Sequence, residues 1–224
     1  MIGLSFDVEP DFPPHYDTSK GVEGLGAITK ILRKHRSDAT FFICADYLDK
    51  NPGIIDLLKG FELGCHSLRH IDLTKLSPLQ LEGEILEAVE CLEEYGLDAR
   101  GFRAPYASVN ERVLKVVSKY FSYDSSLLFY QSLPKGVEIP EVPIFTGGKM
   151  MGVRPSLFKR TLDFPLEDKV YFAHPWEFGG MDFSLIAKRR RKMAVFGYKR
   201  ENYVKNLEFL LKKKPVRLMD MLKS

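Results

Sequence analysis

The stretch Phe61–His70 (FELGCHSLRH) points to both the fold and the site. Its apolar residues, Phe61 and Leu63, indicate the end of a strand, and two of the chain's five histidines follow, four residues apart. One turn of helix after this strand would place both imidazoles on one side. Proteins use such a spacing to bind a divalent metal. Because ordinary surface histidines also occur in such pairs, a metal site further requires a third ligand, a base and an acid elsewhere in the chain.

The composition is that of a globular protein. The 224 residues are 45% hydrophobic and 28% charged, and the net charge of +3 is too small to indicate a nucleic-acid partner. No apolar run approaches the length of a membrane span. The N-terminus has no signal-peptide pattern, so we expect a cytoplasmic location. Three cysteines without a CxxC motif (Cys44, Cys65 and Cys91) indicate free thiols in a reducing compartment.

Strand-like and helix-like segments alternate along the chain, which is typical of parallel βαβ units. The predicted strands lie at residues 4–6, 39–44, 62–65, 101–103, 121–124, 138–145 and 170–173, with a short final strand at 216–218. They would close into an α/β barrel or form an open doubly wound sheet. The chain has no GxGxxG or Walker-type loop, which argues against a nucleotide site.

Polar side chains gather where the predicted strands end. In a parallel α/β barrel this edge is the catalytic face. The residues at these positions are Asp7, His66, His70, Arg103, Asp124 and His174.

Five short motifs resemble, in the correct order, those of the polysaccharide deacetylase (NodB-like) family of carbohydrate esterases. The motifs are Ser5-Phe6-Asp7, His66-Ser67-Leu68-Arg69-His70, Arg103-Ala104-Pro105-Tyr106, Asp124 and Phe172-Ala173-His174. The resemblance covers essentially the whole chain. It implies a distorted (β/α) barrel with about seven parallel strands, forming one catalytic domain over residues 1–224.

The first motif departs from the usual family pattern at one position. The family's usual second aspartate, a metal ligand, is Val8 here, and valine cannot bind a metal. In an extended segment residues i and i+2 point the same way, so Glu9 would join Asp7 while Val8 packs inward. We expect Glu9 to be the third ligand, with Asp11 as the alternative. The sequence most resembles the branch of the family whose first motif reads D-V-E.

The resemblance implies metal-dependent removal of N-acetyl groups from an amino sugar or polysaccharide. His66, His70 and Glu9 would hold the metal, and water bound to it would attack the amide carbonyl. Asp7 resembles the family's general base and His174 its general acid. Two histidines and a carboxylate suit zinc best, with cobalt or nickel as alternatives.

Four residues would support this chemistry. Arg103 would pair with the general base, and Asp124 would hold the general acid. The backbone N–H near Tyr106 would donate to the developing oxyanion, and the rings of Tyr106 and Trp176 would bind the sugar. From the residues alone, Asp124 before two serines is also typical of an Asx turn or a helix cap, and Trp176 of a core residue.

Two other functions fit the sequence less well. The first is hydrolysis of another non-peptide C–N bond in a small amide, as in allantoinase-like or imidase-like relatives. The second, suggested by Val8, is a non-catalytic glycan-binding domain that has lost its metal. Intact histidines and Asp7 favour an enzyme. A homo-oligomer is compatible with the sequence.

Two kinds of segment have no assigned role. The proline- and ring-rich loop at residues 12–16 would either wall a substrate groove or form a rigid surface loop. The basic clusters Lys188–Lys192 and Lys212–Lys214 are typical of solvent-exposed helix faces, and the surrounding span Met181–Arg200 fits an interface, a lid or an ordinary helix.

Overall fold

The computed structural model describes residues 1–11, 19–180 and 199–223. The loop at residues 12–16, the basic cluster Lys188–Lys192 and most of the span Met181–Arg200 lie outside the described residues. Among the residues that are described, no helix combines the length and the apolar character needed to cross a bilayer.

Seven parallel strands form one sheet in the described part of the chain. They are β1 (Ile2–Val8), β2 (Thr40–Ile43), β3 (Glu62–Cys65), β4 (Gly101–Phe102), β5 (Tyr123–Asp124), β6 (Ile144–Thr146) and β7 (Lys169–Ala173). Their order across the sheet is β5-β4-β3-β2-β1-β7-β6. Isolated bridges between Asp124 and Glu141 and between Leu128 and Ile144 connect the two edges. The sheet therefore curls into a distorted barrel, which confirms the predicted fold class.

Helices follow most strands and cover the outside of the sheet. They are α1 (Lys20–His35), α2 (Ala45–Lys50), α3 (Ile54–Leu58), α4 (Pro78–Glu94), α5 (Glu111–Val117), α6 (Gly148–Met151), α7 (Pro155–Leu162), α8 (Pro175–Phe178), α9 (Arg200–Leu211) and α10 (Leu218–Met221). The longest, α4, begins at Pro78, because Ser77 and Gln80 form a capping box and proline suits the first helical position.

The chain differs from the sequence prediction where prolines interrupt it. The predicted strand at 138–145 begins only at Ile144, because Pro140 and Pro143 lack the N–H that a continuous ladder requires. Only a single bridge forms at Glu141. The predicted final strand is reduced to one bridge between Gly3 and Val216. Short helices α6 and α7 occupy a region for which the sequence analysis predicted no element.

The first helix, α1, is capped by a residue that lies outside it in the sequence. Its N-terminal N–H groups at Lys20 and Gly21 donate to the Asp11 carboxylate, at 3.0 and 2.7 Å. This cap comes from outside the helix, so local sequence periodicity could not show where the helix begins. Asp11 therefore stabilises the N-terminus of α1.

Two glycines let α1 and α8 pack backbone against backbone. A Cβ on Gly24 would lie 1.8 Å from the Pro175 carbonyl oxygen, and one on Gly179 would lie 2.0 Å from the Lys20 carbonyl oxygen. Neither position has room for a side chain. Because His174 directly precedes α8, this contact also determines where His174 lies.

We expect Gly24→Ala to destabilise the protein by about 3 kcal/mol, since overpacking against rigid backbone has no easy relief. Gly26→Ala is the matched control in the same helix, because a Cβ there meets nothing within 4 Å. That control should be neutral or gain about 0.5–1 kcal/mol from improved helix propensity. Urea unfolding of the three proteins measures both effects. Equal stability of Gly24→Ala and wild type would contradict the close packing.

Candidate active site

The first strand delivers two carboxylates to one side of the site. Asp7 ends β1 with Val8, and Glu9 follows it. Val8 is 1% exposed and packs in the hydrophobic core, whereas Asp7 and Glu9 face polar partners. The alternation of an extended segment therefore places both acids together and directs the valine inward, as the sequence analysis expected.

Glu9, His66 and His70 form a compact group of donor atoms. The Glu9 Oε2 atom lies 3.3 Å from Nε2 of His66 and 2.5 Å from Nε2 of His70. One ligand atom from each residue lies within 4.8 Å of the other two. This is the only such group of histidine, cysteine or acidic side chains found among the described residues. Two imidazole nitrogens and a carboxylate oxygen at this spacing fit a divalent transition metal.

The backbone of Arg103 orients one of these histidines. Nδ1 of His66 lies 2.7 Å from the Arg103 carbonyl oxygen. A carbonyl can only accept, so Nδ1 carries a proton, and Nε2 is the ring nitrogen that faces Glu9 and His70. A backbone carbonyl behind a histidine is a common way to fix the tautomer of a metal ligand. This orientation is the structural reason why the donor set fits a metal.

The second histidine lies on a loop and not on the predicted turn of helix. Ser67 and His70 adopt left-handed backbone angles, with φ of 65° and 53°. The Ser67 hydroxyl accepts the His70 N–H at 3.2 Å, and Glu84 of α4 accepts the Arg69 N–H at 2.8 Å. These contacts fix the loop so that His70 faces Glu9. The four-residue spacing thus places both imidazoles together through a fixed loop.

Arg103 and Asp7 form a buried ion pair. Nη1 of Arg103 donates to Asp7 Oδ1 at 2.9 Å and to the Ser5 hydroxyl at 2.8 Å. Arg103 is 1% exposed and Asp7 is 3% exposed. The guanidinium also lies 4.4 Å over the ring of Phe42. The pairing that the sequence analysis expected is therefore present, and Asp7 is held in one orientation beside the donor cluster.

His174 lies on the opposite side of Glu9. It directly follows β7 and precedes α8. Its Nε2 atom lies 3.6 Å from Glu9 Oε1. The Trp176 ring stacks on the imidazole at 4.8 Å, and Trp176 Nε1 donates to Glu9 Oε1 at 3.1 Å. Nε2 of His174 therefore faces the donor cluster.

A residue that the sequence analysis missed, Glu177, lies behind His174. Its Oε2 atom accepts the His174 backbone N–H at 2.8 Å and lies 3.3 Å from the ring atom Nδ1. Its Oε1 atom accepts the Tyr203 hydroxyl at 3.0 Å. The sequence His174-Pro175-Trp176-Glu177 could have indicated this contact. Proline followed two residues later by an acid is typical of the first turn of a helix, where the acid bonds back to the capping residue.

Asp124 does not hold His174 in this arrangement. Its Oδ2 accepts the Ser126 N–H and its Oδ1 the Ser126 hydroxyl, both at 2.8 Å. These contacts form the Asx turn that was the alternative interpretation of Asp124. Glu177 is the carboxylate beside Nδ1 of His174. An aspartate at the right strand end was not enough to identify the partner of His174, because Ser126 engages that aspartate locally.

The two predicted sugar-binding rings are placed differently. Tyr106 is 60% exposed, and its ring packs edge-on against His70 with centroids 4.8 Å apart. Trp176 is only 6% exposed, because one face stacks on His174. Tyr106 therefore remains a candidate contact for a substrate, whereas Trp176 is a packing residue that orients both His174 and Glu9.

Charges within the site shift two protonation equilibria. Burial favours neutral Glu9, but the positive charge of His174 and hydrogen bonds from His66 and His70 outweigh it. The pKa of the Glu9 carboxyl is thus held well below its usual value. For His174, burial opposes the charged ring, and the charges of Glu9 and Glu177 overcome this and raise its pKa to about 10.

The chain belongs to the polysaccharide deacetylase family, whose family model matches residues 1–121. The peptidoglycan-N-acetylglucosamine deacetylase of Bacillus cereus is 27% identical over 144 residues, which are 63% of this chain and 62% of that protein. The chitooligosaccharide deacetylase of Azorhizobium caulinodans is 34% identical over 99 residues, 42% of this chain and 46% of that protein. The matched region thus spans less than two thirds of either relative.

Solved structures share the fold. A family 4 carbohydrate esterase from Streptomyces lividans, solved in complex with acetate, superposes with a TM-score of 0.56 at 19% identity, over 94% of this chain and 88% of that one. A CE4 family pseudoenzyme from Bacillus anthracis superposes with a TM-score of 0.57 at 19% identity, over 89% of this chain and 62% of that one. Because a pseudoenzyme shares the architecture, activity must be argued from the side chains.

The donor cluster predicts the pattern of metal binding. Wild-type protein should take up about one equivalent of zinc or cobalt, and Glu9→Ala and His70→Ala should each weaken binding at least about tenfold. Asp11→Asn should retain the metal, because Asp11 caps α1 through its two carboxylate oxygens and the asparagine oxygen keeps one of these two hydrogen bonds. Metal analysis after chelation and reloading measures this. Metal retained by Glu9→Ala but lost from Asp11→Asn would move the third ligand to Asp11.

Proposed function

We propose that this protein is a metal-dependent hydrolase that removes N-acetyl groups from an amino sugar within a carbohydrate. The observation that carries the proposal is the position of Glu9, His66 and His70 between two proton-transfer candidates. Asp7 lies beside Glu9 on β1, and His174 lies across from it. We infer zinc as the preferred metal, with cobalt and nickel as alternatives, from the two imidazoles and one carboxylate.

Amide hydrolysis needs a base for the attacking water and an acid for the leaving amine. A divalent metal held by Glu9, His66 and His70 would polarise the amide carbonyl and make water at the site a better nucleophile. Asp7, fixed by Arg103 through Oδ1, takes the proton that the attacking water loses. The products are acetate and a free amine.

His174 supplies the proton that the amine nitrogen gains. Its Nε2 faces the cluster, while Nδ1 lies against Glu177, so only Nε2 is directed toward the reacting atoms. Glu177 and the stacked Trp176 hold the ring in this orientation. The base and the acid come from different strands, β1 and β7, which are neighbours in the sheet.

The choice of substrate rests on the relatives and on one exposed ring. The two curated relatives described above are named for N-acetylglucosamine and chitooligosaccharide deacetylation. Tyr106 offers an exposed aromatic face next to His70, and aromatic faces are suited to packing against sugars. These names favour a carbohydrate over the cyclic amides and ureides of the alternative hydrolase. That the sequence belongs to the D-V-E branch stays a prediction.

We expect metal-loaded protein to release acetate from an N-acetylglucosamine oligomer and to lose this activity on chelation. Asp7→Asn and His174→Ala should each lower kcat by about 10²–10⁴-fold, the range for loss of a general base or acid. His35→Ala, on the exposed end of α1, is the matched control and should keep wild-type kcat. A loaded protein that hydrolyses a cyclic amide or ureide but no N-acetyl sugar would replace the proposed substrate class.

The position of Glu177 predicts a separate effect on kcat. Glu177→Gln should lower kcat about tenfold with little change in KM, because Glu177 orients the acid and does not contact substrate. In the double variant His174→Ala/Glu177→Gln, the loss of kcat should equal that of His174→Ala alone, since the two residues act as one unit. Steady-state kinetics on the four proteins measures the coupling. Fully additive losses would show that Glu177 acts independently of His174.

A further inference from the structure

Asp124 and Glu141 lie directly opposite each other in the bridge that helps close the barrel. The Asp124 N–H donates to the Pro140 carbonyl, and the Val142 N–H donates to the Asp124 carbonyl, both at 2.9 Å. These two bonds bracket Glu141 and define a parallel bridge. Paired residues in such a bridge project their side chains from the same face of the sheet. The two carboxyl groups are therefore neighbours.

Both carboxyl groups contact the same turn. Asp124 accepts the N–H and the hydroxyl of Ser126, and Glu141 Oε1 accepts the N–H of Leu127 at 3.1 Å. Asp124 is completely buried, and so is Oε2 of Glu141. Among the described residues no donor bonds to this oxygen. It is therefore placed as a buried acceptor without a donor, which is costly for a carboxylate.

Within the described part of the chain, Arg103, which follows β4, is the cation whose charge acts on both carboxyl groups. Its N–H groups donate to Ser5, Asp7 and Ser125 and not to either of the two acids. Two adjacent acids in such a setting cannot both ionise.

We propose that Asp124 and Glu141 share a single proton, with Glu141 Oε2–H donating to Asp124, and that this pair positions Arg103 for the proposed hydrolase reaction. The link runs through the turn that the pair fixes. Arg103 Nε and Nη2 donate to the carbonyl and hydroxyl oxygens of Ser125, both at 2.8 Å. The Ala104 N–H donates to the Ser126 hydroxyl at 2.8 Å. Glu141 is thus a positioning residue that acts on Asp7 through the turn and Arg103.

The shared proton gives folding stability a definite pH dependence. Burial first, and then the charge of Asp124, raises the pKa of Glu141 to about 10, while Arg103 and the Leu127 N–H oppose the rise. An unfolded glutamate has a pKa of about 4.3. Between these values the folded chain holds a proton that the unfolded chain has released, so stability falls as pH rises.

Urea unfolding of the full chain in added zinc tests the shared proton. Glu141→Gln keeps a donor toward Asp124 and an acceptor for Leu127 but cannot ionise. The unfolding equilibrium constant of wild type, divided by that of Glu141→Gln, should rise about tenfold per pH unit between pH 6 and 8. Glu138→Gln is the matched control, because it removes one exposed charge from the same segment. The wild-type unfolding constant divided by that of Glu138→Gln should not change with pH. A flat ratio for Glu141→Gln would overturn the shared proton.

The positioning role has its own measurement. The buried Nε–H resonance of Arg103 should exchange slowly with solvent in wild type and in Glu141→Gln, and about tenfold faster in Glu141→Leu, which lacks the hydrogen bonds. Unchanged exchange in Glu141→Leu would overturn the positioning role. Neither readout requires hydrolase activity. Absence of acetate release would thus refute the proposed function alone, whereas these two measurements decide the inference about Glu141.

Discussion

The buried guanidinium of Arg103 is the interaction on which the site depends. Its side chain bonds to residues at the ends of β1 and β5, and its own carbonyl oxygen orients His66. Burying a cation costs solvation free energy unless its N–H groups find acceptors. Here carboxylate, hydroxyl and carbonyl oxygens accept the N–H groups of Arg103. One residue therefore couples Asp7, the proposed base, to the metal-ligand candidate His66.

The second constraint is the close contact between α1 and α8. His174 belongs to the segment that enters α8, and backbone atoms of that segment touch α1 where Gly24 and Gly179 leave room. Asp11 holds the first turn of α1, and it lies two residues after Glu9. The same helix therefore connects the carboxylate of the donor cluster with the histidine across from it. The distance between Glu9 and His174 is fixed by packing outside the site.

Sequence patterns located the strand ends and most polar residues on them, because parallel strands must end at a common edge. They also placed Glu9 on the same side as Asp7, because the alternation of an extended chain directs Val8 into the core. Long-range partners could not be predicted. Asp124 is engaged locally by Ser126, which leaves Glu177 as the carboxylate beside His174. Likewise, the burial of Trp176 depends on a ring stack that no periodicity encodes.

Valine at position 8 is compatible with the proposed hydrolase. Glu9 is only 6% exposed and lies among three imidazoles, an arrangement that folding stability alone does not favour. Apolar residues of similar volume would commonly be as stable there, or more so, because buried charges are costly to desolvate. Glu9 is nevertheless directed into the cluster and held by Trp176. The Bacillus anthracis pseudoenzyme shares the barrel, so these buried polar groups and not the fold carry the argument for the proposed chemistry.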